Sequence, residues 1–121
     1  HTPSLPTTQG MIKPEHFRLM KPNATFINTS RGAVVDQAGM IRVLRERNDL
    51  TAILDVTEPE PPEPGNVIFD LENIFITPHI AGSLGSECRR LGQTAIDECR
   101  RYLEGEPLQC PVVMEDLFRM A

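Results

Sequence analysis

The chain has 121 residues, 40% of them hydrophobic, a size and composition that fit one packed domain or a piece of a larger one and exclude a disordered tail. Its formal net charge of −5 gives no electrostatic support to a sequence-independent grip on nucleic acid phosphates or on an anionic membrane surface. No apolar run approaches the roughly 20 residues that span a bilayer, and no basic-then-apolar start resembles a signal peptide, so the expectation is a soluble, cytoplasmic protein.

The opening, HTPSLPTTQG, reads as the interior of a loop, and a start on His1 rather than Met suggests that residues precede it. Pro14 suits a first helical turn, and Phe17 and Met20 on one face predict a short helix from Glu15 to Met20, ended by Lys21-Pro22-Asn23. Ala24 to Asn28, with Thr25, Phe26 and Ile27, has the apolar, β-favouring character and length of a buried strand, and it feeds Thr29-Ser30-Arg31-Gly32 into a loop. Asp36 is placed to cap a helix from Gln37 to about Arg47, with Met40, Ile41 and Leu44 against a sheet and Arg42, Arg45 and Glu46 facing away. Thr51 to Val56 is the next strand and stops at the Pro-rich stretch from Glu58 to Pro64, which cannot join a ladder. Ile74 to Thr77 is the third, running into Pro78-His79. Apolar strands separated by helices or long loops imply a parallel sheet in an α/β layer structure.

From Leu84 to Glu104 the residues Leu84, Cys88, Leu91, Ala95, Cys99 and Tyr102 recur at helical spacing, predicting a long amphipathic helix that Gly105 stops. Met114, Leu117 and Phe118 give the tail to Ala121 a short helical pattern. Cys88, Cys99 and Cys110 lack the C-x-x-C spacing of a zinc or redox site, so reduced thiols are expected, with Cys88 and Cys99 packed in a core.

Ligands of open parallel sheets bind beyond the carboxyl ends of the strands, where the three loops would bring Arg31, Asp55, Glu60 and His79 to one edge. The planar donor fork of Arg31 suits a carboxylate and can polarise a neighbouring carbonyl. A histidine beside a carboxylate, such as His79 with Glu60, can act as an acid at neutral pH and protonate a carbonyl oxygen as hydride arrives. Each residue also has a plainer reading. Arg31 could bond loop carbonyls, Glu60 could be solvated like Glu58 and Glu63, His79 could be structural, and His16 could be a surface residue. No second histidine or cysteine stands at ligand spacing from His79, so no metal site is expected.

Read together, INTSRG (Ile27 to Gly32), the DV at Asp55, the EP at Glu60-Pro61 and TPHIAG (Thr77 to Gly82) resemble the D-isomer-specific 2-hydroxyacid dehydrogenase family. The opening His1-Thr2-Pro3 with Thr8 and Gly10, and RGAVVD ending at Asp36, extend the resemblance over at least residues 1–82, in the C-terminal half of the family's nucleotide-binding domain. It implies half of a doubly wound, Rossmann-like parallel sheet with flanking helices in residues 1–83. The long helix and tail of residues 84–121 would return toward a substrate domain. It also implies an oxidoreductase that moves hydride between NAD, or NADP, and a small 2-hydroxy or 2-oxo acid, with a homodimer for the full-length protein. Arg31 would bind substrate, and Glu60 and His79 would be the acid/base pair. The spacing from Asp55 selects Glu60 over Glu58, although Glu58-Pro59 imitates the same dipeptide. Cofactor contacts fall on Thr2, Pro3, Thr29, Ser30, Arg31, Asp55, His79 and the Ile80-Ala81-Gly82 run.

The sequence departs from a complete site in having no G-x-G-x-x-G fingerprint and no acidic residue after one, so the chain alone is expected to be inactive. Two other readings stay open: an NAD(H)-sensing corepressor or scaffold on the same fold, and a nicotinamide enzyme of the same broad family acting on formate or phosphonate.

Overall fold

The computed structural model describes residues 2–118, which form two compact units dividing between Ala81 and Gly82. The first is built on a three-stranded parallel sheet of order β1-β2-β3, with β1 at Thr25–Asn28, β2 at Thr51–Leu54 and β3 at Ile74–Ile76. Asn28, Leu54 and Ile76 are level at the carboxyl edge. The ladder runs one residue further there, because the Asp55 N–H donates to the Asn28 carbonyl and the Thr77 N–H to the Leu54 carbonyl, each at 2.9 Å. Three loops therefore leave the sheet from one line.

Strand alternation sorts the side chains into two faces. Ala52, Leu54 and Ile74 are buried on one face, with Phe26 partly so. Phe17, from helix α1 (Pro14–Arg18), meets Phe26 edge-on at 5.0 Å. Helix α2 (Gln37–Glu46) adds Met40, Ile41, Val43 and Leu44 to the same core, while Arg42, Arg45 and Glu46 are exposed. The stripe of α2 is thus wider than its predicted three residues by Val43, which is fully buried. Among the described residues the other sheet face is left exposed, with Ile27 60% and Phe75 57% accessible, although all-parallel sheets are ordinarily covered on both sides.

Local chemistry sets the ends of these elements. The Asp36 carboxylate accepts the Gly39 N–H at 2.8 Å, capping α2 as predicted. His16 is exposed, as expected, and also caps α1, its Nδ1 accepting the Lys13 N–H at 2.8 Å. Strand β2 ends at Leu54, two residues short of the expected Val56, because the chain leaves the ladder once Asp55 has bonded to β1. A side chain at position 32 would force the backbone to shift: a Cβ there would stand 2.0 Å from the Thr57 carbonyl oxygen.

The second unit carries helix α3 (Ser86–Glu104), ended by Gly105 in the left-handed region at φ 70°. Glu98 accepts the N–H groups of Cys110 at 3.0 Å and Gln109 at 3.0–3.1 Å, folding the tail back along the helix; these bonds hold its carboxyl below the usual range. A short 3-10 turn occupies Asp116–Phe118; His1 and the end of the predicted tail, residues 119–121, lie outside the described residues. The expected burial of Cys88 and Cys99 is not found, since all three cysteines are free and exposed. The periodicity of α3 reports a face suited to burial, and nothing among the described residues covers it: Leu91 is 59% and Tyr102 73% exposed. Among the described residues no helix is long and apolar enough to cross a membrane, and no group of three or more His, Cys, Asp or Glu is placed to hold a metal ion.

Gly32→Ala forces a methyl group into backbone that cannot retreat as a side chain would. It is expected to destabilise the protein by about 1–3 kcal/mol, and an unchanged urea midpoint would contradict this close approach.

Candidate active site

The first loop is set by Asn28, 5% exposed at the end of β1. Its Oδ1 accepts the Ser30 N–H at 3.0 Å and the Ser30 hydroxyl at 2.9 Å, and its Nδ2 donates to the Arg31 carbonyl at 3.1 Å. One amide thus shapes the turn that delivers Arg31. The Arg31 guanidinium donates through Nη1 to the Ser30 carbonyl at 2.7 Å, so the plainer reading of this residue is met in part. It has no carboxylate partner among the described residues, which leaves a half-buried cation with donors to spare.

The third loop is set by Asp55, 4% exposed at the end of β2. Its Oδ1 accepts from the Thr77 hydroxyl and from the Ile80 N–H at 2.9 Å, and its Oδ2 accepts the Ala81 N–H at 2.9 Å. Burial pushes the Asp55 carboxyl up. The bonds from Thr77, Ala81 and Ile80, with His79 nearby, outweigh that and hold it below the usual carboxylate range. Between these bonded residues His79 sits at φ 53°, left-handed for a side chain with a Cβ. Turned this way, its Nδ1 lies 2.5 Å from Glu60 Oε1. An ionised carboxylate accepts only, so this contact with ionised Glu60 calls for the hydrogen on Nδ1 and leaves Nε2 for other partners.

Arg31, Asp55, Glu60 and His79 line one cleft of about 1030 Å³, with Thr57 and Thr77 beside them and Ile68, Phe69 and Ile76 in its apolar wall. The His79 and Glu60 side chains are 46% and 39% exposed, so the pair is open to a ligand. Glu58 has no part in the pairing; its backbone is held by Gln37. The other cofactor candidates do not line this cleft. Thr2 and Pro3 lie in the opening loop, where the Thr8 hydroxyl donates to the Pro3 carbonyl at 2.6 Å. Thr29 is exposed and Ser30 half-buried beside Arg31, Ala81 is bonded to Asp55, and Gly82 begins the second unit. Sequence reasoning missed Asn28, Thr57 and Thr77. Asn28 and Thr77 fall within INTSRG and TPHIAG, whereas for Thr57 the one local signal is a polar residue shortly past a strand end.

The sequence profile of the family described as D-isomer specific 2-hydroxyacid dehydrogenase, NAD binding domain, matches residues 1–81. A glycerate dehydrogenase of Methylorubrum extorquens is 35% identical over 109 residues, a match covering 88% of this chain and 35% of that protein. The crystal structure of the TT0316 protein from Thermus thermophilus superposes with a TM-score of 0.82 at 38% identity, over 93% of this chain and 36% of that one. A D-isomer specific 2-hydroxyacid dehydrogenase from Xanthobacter autotrophicus Py2, solved in complex with NADPH and MES, gives 0.76 at 34% identity, over 92% of this chain and 45% of that one. The chain spans about a third of the length of the glycerate dehydrogenase it matches.

Asp55→Asn turns an amide donor toward N–H groups that need an acceptor, and is expected to cost about 1–3 kcal/mol at pH 7. The folded-state pKa of Asp55 is depressed, so its contribution is present above the ordinary carboxylate value of about 3.9 and is lost as pH falls through the folded value. The urea midpoints of parent and variant should therefore converge in acid; a gap at pH 3 as wide as at pH 7 would refute this account.

Proposed function

The chain belongs to the D-isomer specific 2-hydroxyacid dehydrogenase family through its NAD binding domain, and from that membership we propose that it supplies the substrate-anchoring and acid/base residues of an enzyme interconverting a small 2-hydroxy acid and its 2-oxo acid with NAD or NADP. One observation carries the reading: an arginine with no carboxylate partner among the described residues shares a cleft with an imidazole whose Nδ1 is bound to a carboxylate. The first calls for an anion, and the second can exchange a proton beside it.

The guanidinium of Arg31 offers paired donors to the substrate carboxylate, a charge-assisted contact that also fixes orientation. It draws electron density from the adjacent C2 oxygen. Glu60 holds the His79 ring so that Nε2 points away from the pair, and Nε2 gives its proton to the C2 oxygen in reduction and takes it back in oxidation. Glu60 stabilises the imidazolium in the half of the cycle when His79 carries both protons. The nicotinamide, when bound, supplies or accepts the hydride at C2.

The cleft fits the reactive end of such a cofactor. It opens at the carboxyl edge of a parallel sheet, where these folds bind nucleotides, with the exposed Thr29 two residues before Arg31. Both Asp55 oxygens are engaged by protein donors, so its part is to shape the wall. The sequence has no glycine-rich phosphate loop, and the chain alone is accordingly proposed not to turn over.

In the full-length protein, His79→Ala is expected to lower kcat by roughly 10²–10⁴ while cofactor affinity changes little. Arg31→Lys, which keeps the charge and loses the fork, should raise KM for the 2-oxo acid about tenfold or more. Steady-state assays on a 2-oxo acid panel, with cofactor titration, check both; near-parent turnover in His79→Ala would rule out the acid/base role.

A further inference from the structure

Glu60 lies in a stretch, residues 58–64, that holds four prolines and so has few N–H groups with which to fix itself. Its restraint comes from the start of α2. The Gln37 side-chain amide donates from Nε2 to the Glu58 carbonyl at 2.9 Å and accepts the Glu58 N–H on Oε1 at 3.0 Å. It spends both functions on one residue's backbone, as a neighbouring strand would. Gln37 is the first residue of α2, which Met40, Ile41 and Leu44 anchor in the core. The same approach brings Gly32 against the Thr57 backbone, and the Thr57 hydroxyl donates to the Pro59 carbonyl at 2.9 Å. A rigid helix end is thereby coupled to the backbone two residues before the carboxylate that meets His79 Nδ1 at 2.5 Å.

We propose that Gln37 is a positioning residue for the acid/base pair: by clamping the Glu58 backbone it sets the Glu60 carboxylate against His79 Nδ1 and so keeps Nε2 turned to the cleft. This rests on the acid/base reading given above. It concerns a side chain hydrogen-bonded to Glu58 and not to Glu60 or His79, and whose bonds need an amide. A carboxylate at position 37 can accept the Glu58 N–H and cannot donate to its carbonyl.

Two variants of the full-length protein test it. Gln37→Met removes both bonds at nearly constant volume. Gln37→Glu keeps the acceptor and places an acid in the first turn of α2, where the helix dipole favours it, so the helix itself is not weakened. Long-range ¹H–¹⁵N spectra of the His79 imidazole report which ring nitrogen carries the proton, and steady-state kinetics give kcat and the cofactor KM. In Gln37→Met the Nδ1–H signature is expected to be lost and kcat to fall about tenfold with cofactor KM nearly unchanged; Gln37→Glu should fall between. If Gln37→Met does not fold, Gln37→Glu carries the test alone. A parent-like imidazole signature and kcat overturn the proposal, including the case in which only the melting temperature drops, which would make Gln37 a purely structural residue. Should His79→Ala keep its turnover, the acid/base reading fails instead, and the imidazole signature still decides whether Gln37 orients the ring.

Discussion

A carboxylate taken out of water is costly unless donors meet it, and Asp55 is where this protein meets that cost with structure. Every oxygen of that buried group is answered by the segment after β3: a hydroxyl from Thr77 and two successive N–H groups from Ile80 and Ala81. The loop cannot relax without stranding the charge. His79, caught between those bonds, is held at a positive φ that it would rarely choose alone, and its ring is thereby offered to Glu60.

The other two loops follow the same logic with weaker groups. Asn28 uses one amide to shape the turn before Arg31, and Gln37 uses one amide to grip the chain before Glu60. Close packing of Gly32 on Thr57 joins the two loops mechanically. Residues contributed by strand ends and a helix start thus prepare a site whose own side chains remain accessible, the arrangement in which loops carry chemistry and regular elements hold them in place.

Much of this was legible in the sequence, for identifiable reasons. Asp36 before a helical apolar stripe, and apolar runs ending at Thr29-Ser30, Asp55 and Pro78-His79, are local patterns, and they locate α2 and all three strands to within a residue or two. The motif spacing picked Glu60 over Glu58, and it is Glu60 that stands against His79. What escaped was mostly what depends on partners far along the chain. Nothing local distinguishes Gln37 from a solvated helix residue, and the partner that gives Thr77 its meaning is 22 residues away. The Asn28 side chain bonds only to Ser30 and Arg31, and what hid it was that a strand-end amide reads the same whether or not it shapes the next turn. The helical period of α3 located the helix but could not say whether its cysteines would be covered.

Strand β3 consists of Ile74, Phe75 and Ile76, apolar on both faces, so sliding it by one position against β2 would exchange one greasy surface for another with little change in hydrophobic energy. Patterning therefore leaves this strand's alignment ambiguous as the chain condenses. The Thr77 hydroxyl and the following N–H groups reach the Asp55 carboxylate in one alignment only, and a displaced strand would abandon a buried charge. The same Asp55 bonds that hold His79 in its turn thus also favour one alignment of β3 over its neighbours.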